Sequence, residues 1–296
     1  MTNDAFSKCH PAINFLFFAT TMVFTVIFLH PAYLLAGALC AASYYLLLRG
    51  KQAAKTILWL LPLFCILTAI NPLFNLQGSH ILFFLFGRPY TREALWHGAA
   101  IAGILVNMML WFGCYNAVMT GDKFSSLFGN LIPSLSLLLV MIFRMVPSLI
   151  EKSRQISGAR TCVGKGIREH ASVRAKIAGG MTVLSALTSW ALEGSIITAD
   201  SMRSRGYGTA KRTSFQVYHL AISDMVLALI ILLLAAVVIS FAAAGSVSAT
   251  YTPSYSAAPL ADSYTIGFIC YCLFGLIPSI LHLWEVLLWH ISKSKI

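Results

Sequence analysis

Residues 217–243 read V-Y-H-L-A-I-S-D-M-V-L-A-L-I-I-L-L-L-A-A-V-V-I-S-F-A-A. After Asp224, no charged residue occurs up to Ala243. The hydrocarbon core of a bilayer is crossed by a helix of about 20 mostly apolar residues. The stretch is long and apolar enough for one crossing, so it predicts a transmembrane helix.

Apolar runs of the same kind recur on both sides of this stretch. The whole chain of 296 residues is 58% hydrophobic and only 10% charged, whereas soluble domains carry about 25% charged residues. The sequence therefore predicts an all-α polytopic membrane protein with about six transmembrane helices plus cytoplasmic coupling helices. The first run passes directly into the second, so we expect it to be retained as an anchor rather than cleaved. The five other runs are roughly 11–29, 32–48, 56–75, 97–118 and 264–290.

Lysine and arginine positions predict the orientation of the chain. Cytoplasmic loops collect these residues, and clusters lie at residues 49–55, in a long tract at 144–212 and at 293–295, with Lys8 near the start. This pattern predicts a protein of the cell membrane with both termini in the cytoplasm. It also accounts for the net charge of +11 without nucleic acid as a partner.

A seventh apolar run, 127–146, complicates the count of crossings. An even number of crossings must separate the cytoplasmic clusters on its two sides, and runs 56–75 and 97–118 already supply two. Either 127–146 does not cross, or 79–96 crosses as well. We favour a long helix over 127–146 that lies at or just below the membrane face, bent or bounded by Pro133 and Pro147.

The tract 144–212 is the most polar part of the chain. Its size predicts a cytoplasmic coupling module at 124–212, where a soluble partner docks, between transmembrane regions at 1–123 and 213–296. Only Glu151, Glu169, Glu193 and Asp200 oppose its positive charge. It holds twelve of the 21 lysines and arginines: Arg144, Lys152, Arg154, Arg160, Lys165, Arg168, Arg174, Lys176, Arg203, Arg205, Lys211 and Arg212.

Glycines divide this tract into helices. The pattern predicts a helix over 148–162 that opens near Pro147, a break at 164–166, and a second break at Gly179-Gly180. A longer helix follows over about 181–205, with small residues that favour close helix packing. It ends at Gly206, since arginine in the last turn followed by glycine is a common helix stop.

The sequence offers no constellation for chemistry. Residues 158–166 look faintly like a phosphate-binding loop, but the glycine spacing, the missing hydroxyl after Lys165 and the lack of a preceding strand argue against it. The histidines form no ligand pair and the cysteines no metal or disulfide pattern. We therefore expect no catalytic, cofactor or metal site and no enzymatic activity. Two alternatives remain: an integral-membrane enzyme whose tract binds anionic lipid head groups, and a stand-alone secondary transporter.

Two short arginine motifs carry a family resemblance. Asp200-Ser-Met-Arg-Ser-Arg-Gly-Tyr-Gly208 and Ala159-Arg160-Thr161 resemble the paired Ala-Arg-Gly-like motifs of the T component of energy-coupling factor transporters, the EcfT/CbiQ family. Thr161 departs from the glycine usual there. The phrases Arg144-Met-Val-Pro147 and Asn71-Pro-Leu-Phe74 are also similar to the family, so the resemblance covers about residues 56–210.

The resemblance implies a non-catalytic subunit of an ATP-driven importer for vitamins or metal ions. Two cytoplasmic ABC ATPases would each receive one motif arginine, and the coupling helices would meet a substrate-binding membrane protein, the S component. From the residues alone, Arg205 with Gly206 is equally a plain helix stop, and Arg160 a solvated charge. The ATPase-coupling residues that the resemblance implies are Ala159, Arg160, Ser204, Arg205 and Gly206.

Overall fold

The chain divides into two compact units, Met1–Thr120 with Tyr218–Ile296, and Gly121–Val217. We call them the membrane unit and the hairpin unit. The computed structural model describes residues 5–75, 80–85, 88–128, 133–166, 172–207, 221–245, 247, 249–251, 256–257 and 263–293.

Helices account for most of the described residues. In chain order they are α1 Ala5–Lys8, α2 Pro11–Ile27, α3 Pro31–Arg49, α4 Lys51–Phe74, α5 Arg92–Val118, α6 Gly121–Phe128, α7 Pro133–Cys162, α8 Val173–Ser204, α9 Ile222–Ala243 and α10 Ser263–Lys293. The strands are β1 Ile81–Leu85, β2 Arg88–Thr91, β3 Ala249–Thr250 and β4 Ser256–Ala257.

Five of these helices, α3, α4, α5, α9 and α10, are long and apolar enough to cross a membrane. The sixth predicted span forms α2, a shorter apolar helix of 17 residues. Each predicted run thus coincides with one helix of the membrane unit. This confirms the prediction of an all-α polytopic membrane protein.

Two histidine–proline pairs begin the first long helices. His10 precedes Pro11 of α2, and His30 precedes Pro31 of α3. In each pair the histidine Nδ1 accepts a hydrogen bond from the backbone N–H two residues later, at 3.2 Å. Proline suits the first helical position because no N–H is needed there. The break between α2 and α3 therefore follows from His30 and Pro31, just as the start of α2 follows from His10 and Pro11.

Aromatic side chains build the centre of the membrane unit. Phe17 stacks on Phe274 of α10 with ring centroids 5.0 Å apart and meets Trp111 of α5 edge-on at 5.8 Å. Phe6 of α1 lies edge-on to Phe17 at 5.3 Å. Large buried rings contribute much of the packing energy of a core. This cluster therefore joins α1, α2, α5 and α10.

Two small hairpins connect helices of the membrane unit. β1 and β2 pair antiparallel between α4 and α5, and β3 pairs with β4 between α9 and α10. Both lie in segments that the sequence predicts as excursions between spans, 76–96 and the Ser-, Ala-, Tyr- and Pro-rich loop 245–263. Gly78, which belongs to the first of these segments, lies outside the described residues.

The helices of the hairpin unit differ from the predicted ones. The helix predicted to open near Pro147 is instead the second half of α7, which contains Pro147 in its interior. Proline removes a single backbone donor, and the turns on both sides hold the helix together. The break predicted at Gly179-Gly180 is also wrong, because α8 passes through both glycines. A glycine inside a helix costs about 1 kcal/mol, which a helix of 32 residues tolerates.

Of the helix predicted over 127–146, residues 133–146 form the first part of α7, residues 127–128 end α6, and residues 129–132 lie outside the described residues. α6 ends at Phe128 and α7 begins at Pro133. Within the described residues, neither meets the length and hydropathy expected of a membrane span.

Candidate functional site

The five residues singled out from the sequence lie at the ends of two helices of the hairpin unit. Ala159 and Arg160 occupy the last turn of α7. Ser204 is the last residue of α8, Arg205 is its C-cap, and Gly206 follows with a φ of 73°. The predicted helix stop at Gly206 is confirmed.

The end of α8 is a Schellman motif. The N–H of Tyr207 donates to the carbonyl of Met202 and the N–H of Gly206 to that of Arg203, both at 3.1 Å. The two bonds need a residue with positive φ, and glycine adopts it without strain. The turn therefore ends the helix abruptly and leaves Arg205 at its tip.

The side chains at this tip point to solvent. Arg203, Ser204 and Arg205 are all exposed. Among the described residues, the Arg205 guanidinium has no hydrogen-bond or ion-pair partner. Cations at a helix C-terminus interact favourably with the helix dipole. This position therefore stabilises the charges of Arg203 and Arg205 without using their hydrogen-bond donors.

α7 ends in a second Schellman motif, in which the arginine lies at a different distance from the turn glycine. Gly164 has a φ of 77°. The Lys165 N–H donates to the carbonyl of Arg160 at 2.9 Å, and the Gly164 N–H to that of Thr161 at 3.0 Å. Arg160 thus stands four residues before its turn glycine, whereas Arg205 stands one residue before Gly206. The ends of α7 and α8 thus have the same type of turn, but the motif arginine occupies a different position in each.

The surroundings of the two arginines also differ. The half-buried Arg160 donates from Nη1 to the Gly179 carbonyl of α8 at 2.7 Å, and from Nη2 to the Lys165 carbonyl at 3.4 Å. Sequence reasoning expected either a docking contact or a solvated charge at this position. The structure adds a role within the hairpin unit, because the side chain joins the end of α7 to the N-terminal part of α8.

α7 and α8 pack as an antiparallel hairpin. Arg160 meets Gly179 at one end, and the Lys152 ammonium lies 5.5 Å from the ring centroid of Trp190 further along. Of the small residues predicted to favour close packing, Ala191 and Gly194 are half-buried, whereas the other four are exposed: Ser185, Ala186, Ser189 and Ser195. A Cβ added at Gly194 would meet nothing within 4 Å, so α7 and α8 do not approach closely at this glycine.

A stripe of apolar side chains runs along the opposite side of α8. Its members lie one or two helical turns apart over 24 residues, or about 35 Å at 1.5 Å per residue, and each is between 54% and 75% exposed. We call it the α8 stripe, and it consists of Val173, Ile177, Met181, Leu184, Leu192 and Ile196. Exposed apolar surface of this length marks a surface that contacts protein or membrane.

The Asn71-Pro72 phrase lies in the last turn of α4 and packs closely on α5. A Cβ at Gly98 would lie 2.7 Å from the Asn71 Cβ and 2.9 Å from the Thr68 carbonyl oxygen. Pro72 has no N–H to donate to that carbonyl, so the oxygen is free to face the glycine. The requirement for Gly98 was not found from the sequence, because it depends on which helices pack together.

Polar contacts hold the β1–β2 hairpin beside this crossing. The Asn75 Nδ2 lies 3.3 Å from His97 Nδ1. The Tyr90 hydroxyl donates to the Ala69 carbonyl at 3.0 Å, and the His80 N–H donates to Glu93 Oε2 at 3.3 Å. These contacts account for four polar side chains at this end of the membrane unit: Asn75, Tyr90, Glu93 and His97.

A groove of about 800 Å³ follows one face of α5. Leu105, Met109 and Phe112 are among its apolar lining residues, and Thr56 and Asn116 are among its polar ones. Such a lining suits acyl chains of surrounding lipid.

The fold and these surfaces define a polytopic membrane protein with a helical hairpin that ends in exposed arginine. No model of a known protein family matches the chain, and no curated protein matches it.

Proposed function

We propose that this protein is the membrane coupling subunit of an ATP-driven importer of the energy-coupling factor type. It would transmit closure of two cytoplasmic ABC ATPases to a membrane-embedded S component that binds a vitamin or a metal ion. It would work in the cell membrane with both termini in the cytoplasm, without catalytic groups or a cofactor of its own.

The exposed arginine at the end of α8 carries the proposal. Arg205 presents its guanidinium beyond the last turn of the helix, with Arg203 beside it. A guanidinium pairs bidentately with carboxylates, and its planar fork gives the contact geometric specificity. This tip therefore suits an acidic groove on a soluble partner such as an ABC ATPase.

The α8 stripe supports the second half of the proposal. A coupling helix needs one surface for the ATPase and another for the membrane protein that it moves. α8 carries the cationic tip at its C-terminal end and the apolar stripe along its length. One rigid helix would thus contact both partners.

Charge reversal at Arg205 tests the proposal. Arg205→Glu should leave folding intact because the side chain is exposed and bonds to nothing described. Like charges at the contact cost several kcal/mol, so ATPase binding should weaken roughly 30-fold or more. Arg174→Glu is the matched control, since Arg174 is also an exposed arginine of α8 but lies at its other end.

Co-purification of both ATPase subunits and substrate uptake should be measured at equal membrane expression. We expect Arg205→Glu to lose ATPase co-purification and substrate uptake. Arg174→Glu should retain ATPase co-purification and substrate uptake. Normal uptake by Arg205→Glu would reject the proposed function.

A further inference from the structure

The two motif arginines are not equivalent in this chain. Arg205 is exposed, and its guanidinium has no partner among the described residues. Arg160 is half-buried and donates to two carbonyls of its own chain. An arginine that must reach into a partner would first have to break these bonds, so the geometry gives the two side chains different tasks.

The bonds of Arg160 connect two separate elements. The Gly179 carbonyl belongs to α8, and the Lys165 carbonyl belongs to the turn that ends α7. Two nitrogens of one planar fork reach both oxygens at once, which the point-like ammonium of lysine does less well. The Gly179 bond also falls at the Gly179-Gly180 pair, where the intrinsic helix propensity of α8 is weakest.

The turn after Arg160 is shaped to hold this arrangement. A Cβ at Gly166 would lie 2.8 Å from Thr161 Oγ1 and 3.1 Å from the Thr161 Cα, so the chain folds back against Thr161. The Thr161 hydroxyl in turn donates to the Ser157 carbonyl at 2.9 Å. Threonine at this position is therefore accommodated by a glycine five residues later, and the turn presents the Lys165 carbonyl to Arg160.

We infer that Arg160 is a positioning residue that latches α7 to α8, and that the acidic partner docks at the Arg205 tip. The latch is independent of any partner. The assignment of docking to Arg205 rests on the proposed function. In this arrangement Arg160 fixes the direction of α8, and hence of the tip that carries Arg205.

Hydrogen exchange of the full-length protein in lipid nanodiscs, without ATPases, tests the latch. Arg160→Gln should accelerate hydrogen exchange about 10-fold in the turn at 163–166 and in the amides that follow Gly180. The reason is that losing a hydrogen bond from a charged donor shifts the equilibrium of local opening by about that factor or more. Arg160→Lys should fall between Arg160→Gln and the unchanged protein. Arg205→Gln is the matched control and should leave both segments unchanged.

ATPase co-purification with the same variants separates the two halves of the inference. We expect Arg205→Gln to lose the ATPases while its exchange is normal. Normal exchange in Arg160→Gln would overturn the latch. If Arg160→Gln also lost the ATPases while its exchange was normal, Arg160 would be a docking residue like Arg205. If both glutamine variants kept the ATPases, the proposed function would fall and the exchange data would still decide the latch.

Discussion

The crossing of α4 and α5 at Gly98 predicts a large effect from a single methyl group. In Gly98→Ala the new Cβ would lie 2.7 Å from the Asn71 Cβ and 2.9 Å from the Thr68 carbonyl oxygen. Both atoms are fixed by the α4 backbone, so neither can be relieved by a rotamer change. The helices must move apart by several tenths of an ångström.

The destabilisation caused by this clash can be separated from the effect of helix propensity by a control substitution in the same helix. Gly103→Ala places its Cβ 3.7 Å from the Leu34 Cδ1, an ordinary van der Waals contact. Both changes gain the same helix propensity, about 1 kcal/mol, so their difference isolates the clash. Overpacking costs about 1–3 kcal/mol, and 1 kcal/mol corresponds to about 2–4 °C in Tm for chains of 150–250 residues.

The melting temperature of each purified variant in the same detergent measures this difference. We expect Gly98→Ala to melt about 2–12 °C below Gly103→Ala, and Gly103→Ala to melt at or slightly above the unchanged protein. Equal melting temperatures for the two alanine variants would show that α4 and α5 do not pack as closely as described.

Three further outcomes follow from the same structure. Gly37→Ala should destabilise the membrane unit, because its Cβ would lie 2.5 Å from the Tyr271 hydroxyl oxygen and 2.6 Å from the Asn107 Nδ2. Adding Tyr271→Phe should recover part of the lost Tm, and no recovery would assign the strain to the contact with Asn107. Single cysteines at Ser126 and Ser148, in a cysteine-free background, should both be labelled only from the cytoplasmic side, and labelling from opposite sides would reject a hairpin unit that stays on one side of the membrane. Association with the ATPases through Arg205 should weaken as salt rises, since exposed charges are screened over about 8 Å at physiological ionic strength; binding that is insensitive to salt would assign the contact to apolar surface.

Much of the fold could be predicted because it depends on local sequence. Runs of about 20 apolar residues form helices in a membrane wherever they occur, so the long helices of the membrane unit were found nearly to their ends. Gly206 was recognised as a helix stop for the same reason, since arginine followed by glycine at a C-terminus has a local cause. The exposure of Arg205 followed from its place at the tip.

Features that depend on contacts between helices were not predictable. Nothing near Arg160 in the sequence indicates that its guanidinium reaches the Gly179 carbonyl, 19 residues further on. Gly179 and Gly180 looked like a break because helix propensity was considered without the packing of α7 on α8. Pro147 looked like a boundary, although one lost hydrogen bond does not end a helix that continues on both sides.

The α8 stripe has a consequence for how the protein is produced in the cell. Its six large apolar side chains are uncovered in the isolated chain, and uncovered surface of this kind attracts chaperones, proteases and other copies of the same chain. A copy made without the protein or lipid that covers the stripe should therefore be short-lived. The amount of this protein in a cell would then follow the supply of whatever covers α8, rather than the rate of its own synthesis.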